Sequence, residues 1–116
     1  MRFANEALIS GADASANQTS AAFDSSYVMA GSVQAVTTGA TAAGTLKVQA
    51  SNDMPLPGRA PTNWFDVTGL SVAIAAPGVA AIPKFDVCYQ WLRLVFTQSG
   101  GANDGLITAT IKSIGF

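Results

Sequence analysis

Seven carboxylates, one thiol and no imidazole make up the stock of groups in this chain that could do acid-base or nucleophilic chemistry. Without histidine the commonest general base is missing, and with it the Ser-His and Cys-His pairs and nearly every zinc site. The carboxylates are Glu6, Asp13, Asp24, Asp53, Asp66, Asp86 and Asp104. A glycan-cleaving pair needs two carboxyl groups across a cleft, one with its pKa raised by burial. Asp53 and Asp66 flank one loop and are the only pair whose spacing invites that reading, yet Asp is equally a turn former at such positions. Asn52, Asp53 and loop carbonyls could gather around calcium, but the spaced acidic pattern of a dedicated calcium loop is absent. Cys88 stands in an apolar run and is expected to be a packed core thiol. The glycines of Ser99 to Gly105 precede a strand, whereas phosphate-binding glycines precede a helix, so they are expected to serve a hairpin. No catalytic, cofactor-binding or metal-binding residue is therefore assigned, and the protein is expected not to be an enzyme.

Composition narrows the partners. Charged residues are 11% of the 116, against roughly 25% in ordinary soluble proteins. The six cations, Arg2, Lys47, Arg59, Lys84, Arg93 and Lys112, are scattered, and the formal net charge is -1. Phosphate backbones need clustered Lys and Arg, so direct contact with nucleic acid is not expected. No apolar run approaches the roughly 20 residues of a membrane-spanning helix, and MRFANEALIS does not read as an export signal, so no membrane partner is expected. Asn17-Gln18-Thr19 fits the glycosylation acceptor pattern but is read as a polar loop.

The elements that would position any site are strands. Asp86 to Thr97, DVCYQWLRLVFT, is rich in β-branched and aromatic residues and reads as a central strand. Its parity puts Cys88, Leu92, Leu94 and Phe96 on one face, and Tyr89, Trp91, Arg93, Val95 and Thr97 on the other. Period-two alternation recurs in Tyr27 to Thr37, with Tyr27, Met29, Val33 and Ala35 on one side and a bulge expected at Gly31. It recurs again in Thr45 to Ser51, in Ser71 to Ala76 and in Leu106 to Ile114. Trp64 to Val67 is a short strand ending at Thr68-Gly69, and Val79 to Ile82 is expected to stop at Pro83. Asn52 to Thr62 carries Pro55, Pro57 and Pro61 and must be a loop, since proline lacks the donor a central strand needs. These patterns predict an all-β protein of about seven to nine short strands, a single compact β-sandwich over residues 1–116 for which jelly-roll topology is one candidate. Residues 1–18 read as an extended arm. The expected core is Val33, Leu46, Val48, Val72, Ile74, Leu92, Leu94, Phe96, Ile107 and Ile111.

Three stretches taken in order carry a resemblance: GTLKVQASND (Gly44 to Asp53), NWFDV (Asn63 to Val67) and CYQWLRLVFTQSGGANDGLITATIKSIG (Cys88 to Gly115). This order resembles small virion structural proteins of tailed bacteriophages, in particular capsid decoration or cement proteins, and spans about two thirds of the chain. The resemblance implies a β-sandwich subunit bound to the major capsid protein on the outside of the shell. There it would bridge neighbouring capsid subunits, commonly as a homotrimer, and it implies no catalytic residue. The alternative is a receptor- or carbohydrate-binding module of a head fibre or tail, with Trp64 as a sugar platform beside Asp53 or Asp66.

Interface candidates follow from residue type and place. Phe3 and Leu8 are large apolar groups of the arm, and Pro55, Leu56, Pro57 and Arg59 lie in the proline loop, where restricted dihedrals lower the entropy lost on docking. Trp64 is expected as a core or interface anchor. Tyr89, Trp91 and Arg93 share the mixed face of the central strand and belong to the types enriched at protein interfaces.

Overall fold

The computed structural model describes residues 2–39, 43–75, 77–99 and 105–115, and every regular element among them is a β-strand. In chain order these are β1 (Arg2–Asp13), β2 (Gln18–Thr19), β3 (Phe23–Asp24), β4 (Val28–Thr37), β5 (Ala43–Ser51), β6 (Phe65–Ala75), β7 (Gly78–Asp86), β8 (Trp91–Gln98) and β9 (Leu106–Gly115). One sheet has the order β1-β9-β4-β7, and the other has β2-β8-β5-β6 with β3 also paired to β8. The pairings are antiparallel. With β2 and β3 taken as one interrupted strand, the chain lays four strands in each of two facing sheets. It crosses between them at nearly every connection, which is jelly-roll topology. The all-β sandwich read from the sequence is the observed fold.

The alternating residues meet between the sheets. Leu92, Leu94 and Phe96 of β8 are fully buried against Leu46 and Val48 of β5, and Val33, Ile107 and Ile111 close the space from the opposite sheet. Val72 is only half-buried because β6 is a sheet edge. Ile9, Ile82, Phe85 and Val87 complete the core from segments whose periodicity is weaker.

Several local expectations are corrected, each for a physical reason. The run Asp86 to Thr97 is not one strand: β7 ends at Asp86 in one sheet and β8 begins at Trp91 in the other. Between them the chain crosses the end of the sandwich, where Val87 N–H donates to the Met29 carbonyl and Ser25 N–H to the Gln90 carbonyl. The crossing breaks the parity, so Cys88 is exposed instead of packed in the core. Tyr89 turns inward against the core cluster and meets Phe65 edge-on at 5.7 Å, leaving the face of Trp91 and Arg93. Pro83 does not end its strand. β7 is an edge, and its residues Pro83 and Lys84 bulge opposite Ser32, where Gly31 pairs Phe85 and Val33 pairs Ile82. Proline needs no ladder partner in such a place.

Thr68-Gly69 likewise interrupts β6 without dividing it. Lys47 pairs Ser71 and Gln49 pairs Asp66, so residues 67–70 loop out opposite Val48, with Gly69 at φ +84°. Tyr27 is exposed in the turn that precedes β4, and Met29 is partly exposed where the register of β4 shifts between Val28 and Ala30. The residues expected to form an arm are extended, but as β1 lying along β9 from Arg2 to Asp13, with Ile9 only 4% exposed. The glycine hairpin near residue 102 and the Asp104 carboxylate lie outside the described residues.

Candidate functional site

The connection from β5 to β6 holds most of the side chains singled out above, and it is organised by one carboxylate. Asp53 Oδ2 accepts hydrogen bonds from Thr62 N–H at 2.7 Å and Asn63 N–H at 2.9 Å, and Oδ1 accepts from Asn63 Nδ2 at 3.0 Å. The carboxylate thus ties the two ends of the proline loop together. The Asn63 bonds first and Thr62 next hold the Asp53 carboxyl below the ordinary carboxylate range. The neck is anchored to the sandwich where Trp91 Nε1 donates to the Asp53 carbonyl at 3.1 Å and Gln90 N–H donates to Asn52 Oδ1 at 3.1 Å. Within the loop Arg59 N–H donates to the Leu56 carbonyl, and Gly58 takes φ +72°.

At the loop exit Trp64 lies on the outer face of the sheet. Arg93 holds its guanidinium carbon 4.3 Å from the ring centroid, and Trp64 Nε1 donates to the Pro61 carbonyl at 3.2 Å. Arg93, Gln49 and Asp66 stand directly opposite one another on β8, β5 and β6. Arg93 Nε donates to Gln49 Oε1 at 2.8 Å, and Gln49 Nε2 donates to Asp66 Oδ1 at 2.8 Å. Lys47 Nζ completes the row at 3.2 Å from Asp66 Oδ2. Gln49 and then Lys47 lower the Asp66 pKa.

This arrangement does not supply an acid catalyst. Asp53 and Asp66 are bonded to different partners, and both are shifted toward the ionised form, the opposite of what a general acid requires. The Asp53 oxygens are occupied by protein donors, and no cluster among the described residues has the donor set of a metal site. Trp64 is half-buried, and the ring face toward Arg93 is already occupied by the guanidinium, not open to a sugar.

What the loop does offer is a shaped projection. Met54 is 75% exposed and Leu56 47% exposed, and Pro55, Pro57 and Arg59 are exposed beside them. Met54, Leu56 and Arg59 share a shallow pocket of about 260 Å³ with Asp53, Thr62 and Asn63. Of the other interface candidates, Phe3 is exposed on β1, while Leu8 and Tyr89 pack on the core. Trp91 and Arg93 are half-buried and committed to the loop.

Sequence reasoning missed the outer face of the β1-β9-β4-β7 sheet. A groove of about 370 Å³ there is lined by Phe3, Ala30, Gly31, Ser32, Lys84, Lys112, Ser113 and Ile114. A second of about 300 Å³ adjoins it at Ser32 and Lys112. The outward parity of Lys112 and Thr110 was legible, but the concave surface depends on which strands are neighbours.

No family model matches the chain, and no curated protein matches its sequence. Among solved structures, the SPBc2 prophage-derived protein YomS superposes with a TM-score of 0.54 over 97% of this chain and 95% of that one, at 10% identity. Chitosan-binding module 1 derived from a chitosanase/glucanase of Paenibacillus sp. IK-5, solved as a selenomethionine-labelled variant, superposes with a TM-score of 0.50 over 96% of this chain and 92% of that one, at 18% identity. At these identities the likeness is one of fold.

Proposed function

We propose that the protein is a non-enzymatic structural component of a bacteriophage particle, a decoration or cement protein that seats the proline loop on the major capsid protein and braces neighbouring subunits from outside the shell. The observation that carries this reading is the loop itself. Three prolines and the Asp53 clamp hold it in shape before any partner arrives, while Met54, Leu56 and Arg59 point outward. A preordered segment with apolar knobs and an arginine loses little entropy on docking and has the composition of an interface centre. The sequence resemblance supports the virion assignment, and a prophage-derived protein shares the fold. The protein works in this reading as a homotrimer, so that many modest contacts act together on one closed lattice.

A receptor- or carbohydrate-binding role in a head fibre or tail is the second reading, supported by the shared fold with a chitosan-binding module. The two separate in a co-sedimentation experiment with purified protein, expanded shells lacking it, and intact host cells. Sedimentation with shells supports the decoration role, and sedimentation with cells alone overturns it. Analytical ultracentrifugation of the free protein checks the trimer, and a monomer at high concentration would remove it from the proposal.

A further inference from the structure

The two outer faces of the sandwich treat their polar side chains differently. On the β8-β5-β6 face, Lys47, Asp66, Gln49 and Arg93 are bonded to one another in a row. On the β1-β9-β4-β7 face, Asn5, Lys112 and Ser32 stand side by side on β1, β9 and β4, and Thr110 and Gln34 form the next rung. Among the described residues, none of the side chains of Asn5, Ser32, Gln34 and Thr110 has a hydrogen-bond partner, and all four line the smaller groove. Two amides and two hydroxyls, each able to donate and accept, are thus left open along one concave surface.

Among the described residues, neither lysine on this face is in an ion pair. Lys84 sits in the β7 bulge opposite Ser32, and Lys112 is the direct partner of Ser32 on the other side. The two lysines flank Ser32 from strands about 10 Å apart, twice the spacing of neighbouring strands. Both line the larger groove, and no carboxylate does; Asp86, beside Ala30 at the end of β7, is outside the lining. Two lysines on the strands either side of Ser32 give the groove a positive character that suits an anionic group. At the far wall Phe3 is 66% exposed, with Lys112 Nζ 5.9 Å from its ring centroid. Between these side chains the groove is lined by Ala30, Gly31, Ser32, Ser113 and Ile114. Together the grooves have the volume of small-ligand clefts, about 300–1,000 Å³.

We infer that this face binds an acidic saccharide, with a sugar ring against Phe3, hydroxyls on Asn5, Ser32, Gln34 and Thr110, and a carboxylate or sulfate between Lys84 and Lys112. The lysines select against a polycation such as chitosan. The site lies on the opposite sheet from the proline loop and stands or falls independently of the loop's partner.

The test is a titration of the full chain followed by amide proton-nitrogen correlation spectra. The probes are tetragalacturonate, neutral maltotetraose, cationic chitotetraose and sodium sulfate. Tetragalacturonate is expected to shift the signals of Ser32, Gln34, Thr110 and Lys112, and to bind about tenfold more weakly to Lys112→Ala or Lys84→Ala, the loss of one charge-assisted hydrogen bond. Phe3→Ala and Gln34→Ala should weaken it as well, while Leu56→Ala leaves it unchanged. These residues are exposed, so the variants should keep the wild-type spectrum elsewhere. No shifts with tetragalacturonate, equal binding of maltotetraose, or equal displacement by sulfate would each overturn the proposal.

Discussion

At the scale of single residues, Asp53 does more than its place in a turn suggests. Its carboxylate closes the loop through Thr62 and Asn63, so Asp53→Ala should speed hydrogen exchange at those two amides while leaving the β8 amides protected. The pH dependence has a definite sign. Because the folded-state pKa lies below the unfolded one, the clamp is fully present above the unfolded value of about 3.9 and is lost as pH falls through the lower folded value. Exchange at Thr62 should therefore report a tight loop at neutral pH and an opening one in acid below about pH 4. Arg93 is the second residue with a specific role. Arg93→Ala removes its contact with Trp64 and its bond to Gln49, with an expected cost of about 1–2 kcal/mol in urea unfolding and greater quenching of tryptophan fluorescence by acrylamide. The sequence flagged Asp53, Trp64 and Arg93 by residue type, but the contacts that hold them, Trp91 to Asp53, Arg93 to Trp64 and Arg93 to Gln49, span 29 to 44 positions and follow from strand register. Cys88 misled because its neighbours are apolar. They are buried by a crossing at the end of the sandwich, which period-two parity does not describe.

At the scale of elements, alternation made β5, β8 and β9 legible because each has one face in the core and one face outside. It failed at β6 and β7, where a proline or glycine marked a bulge in an edge strand and not the end of the strand. Punctuation residues stop central strands, whereas edges absorb them, and edge or centre is a property of the assembled sheet. Gly44 shows the complementary case. A Cβ there would overlap the Thr97 carbonyl oxygen and crowd the Phe96 ring, so Gly44→Ala should cost about 1–3 kcal/mol in urea unfolding. β1 is the element whose role the structure changes most. It covers the edge of β9 and contributes Ile9 to the core. Deleting residues 2–10 should therefore lower the melting temperature and expose the β9 edge to pairing with other chains, seen as aggregation in light scattering. A truncated protein with the wild-type melting temperature would show that β1 is dispensable to the fold.

At the scale of the whole molecule, strands distant in sequence are neighbours, and the first strand pairs with the last because the chain crosses between layers at nearly every connection, the β5-β6 turn excepted. The result is a rigid two-layer body with the proline loop at one end and an open polar face on one side. Sandwich class was legible from the number and spacing of alternating segments. The order β1-β9-β4-β7 was not, because alternation says which side of a strand is buried and nothing about which strand lies beside it. A rigid body with a preordered projection suits a brace that must hold neighbouring subunits at fixed distance. The most direct test measures saturable binding of the purified protein to expanded shells lacking it, together with the temperature at which those shells release their genome. Wild-type protein should bind and raise that temperature, and a Met54→Ser, Leu56→Ser double variant of unchanged melting temperature should do neither. Failure of the wild-type protein to bind, or binding of the double variant with wild-type affinity, would contradict the docking role assigned to the loop.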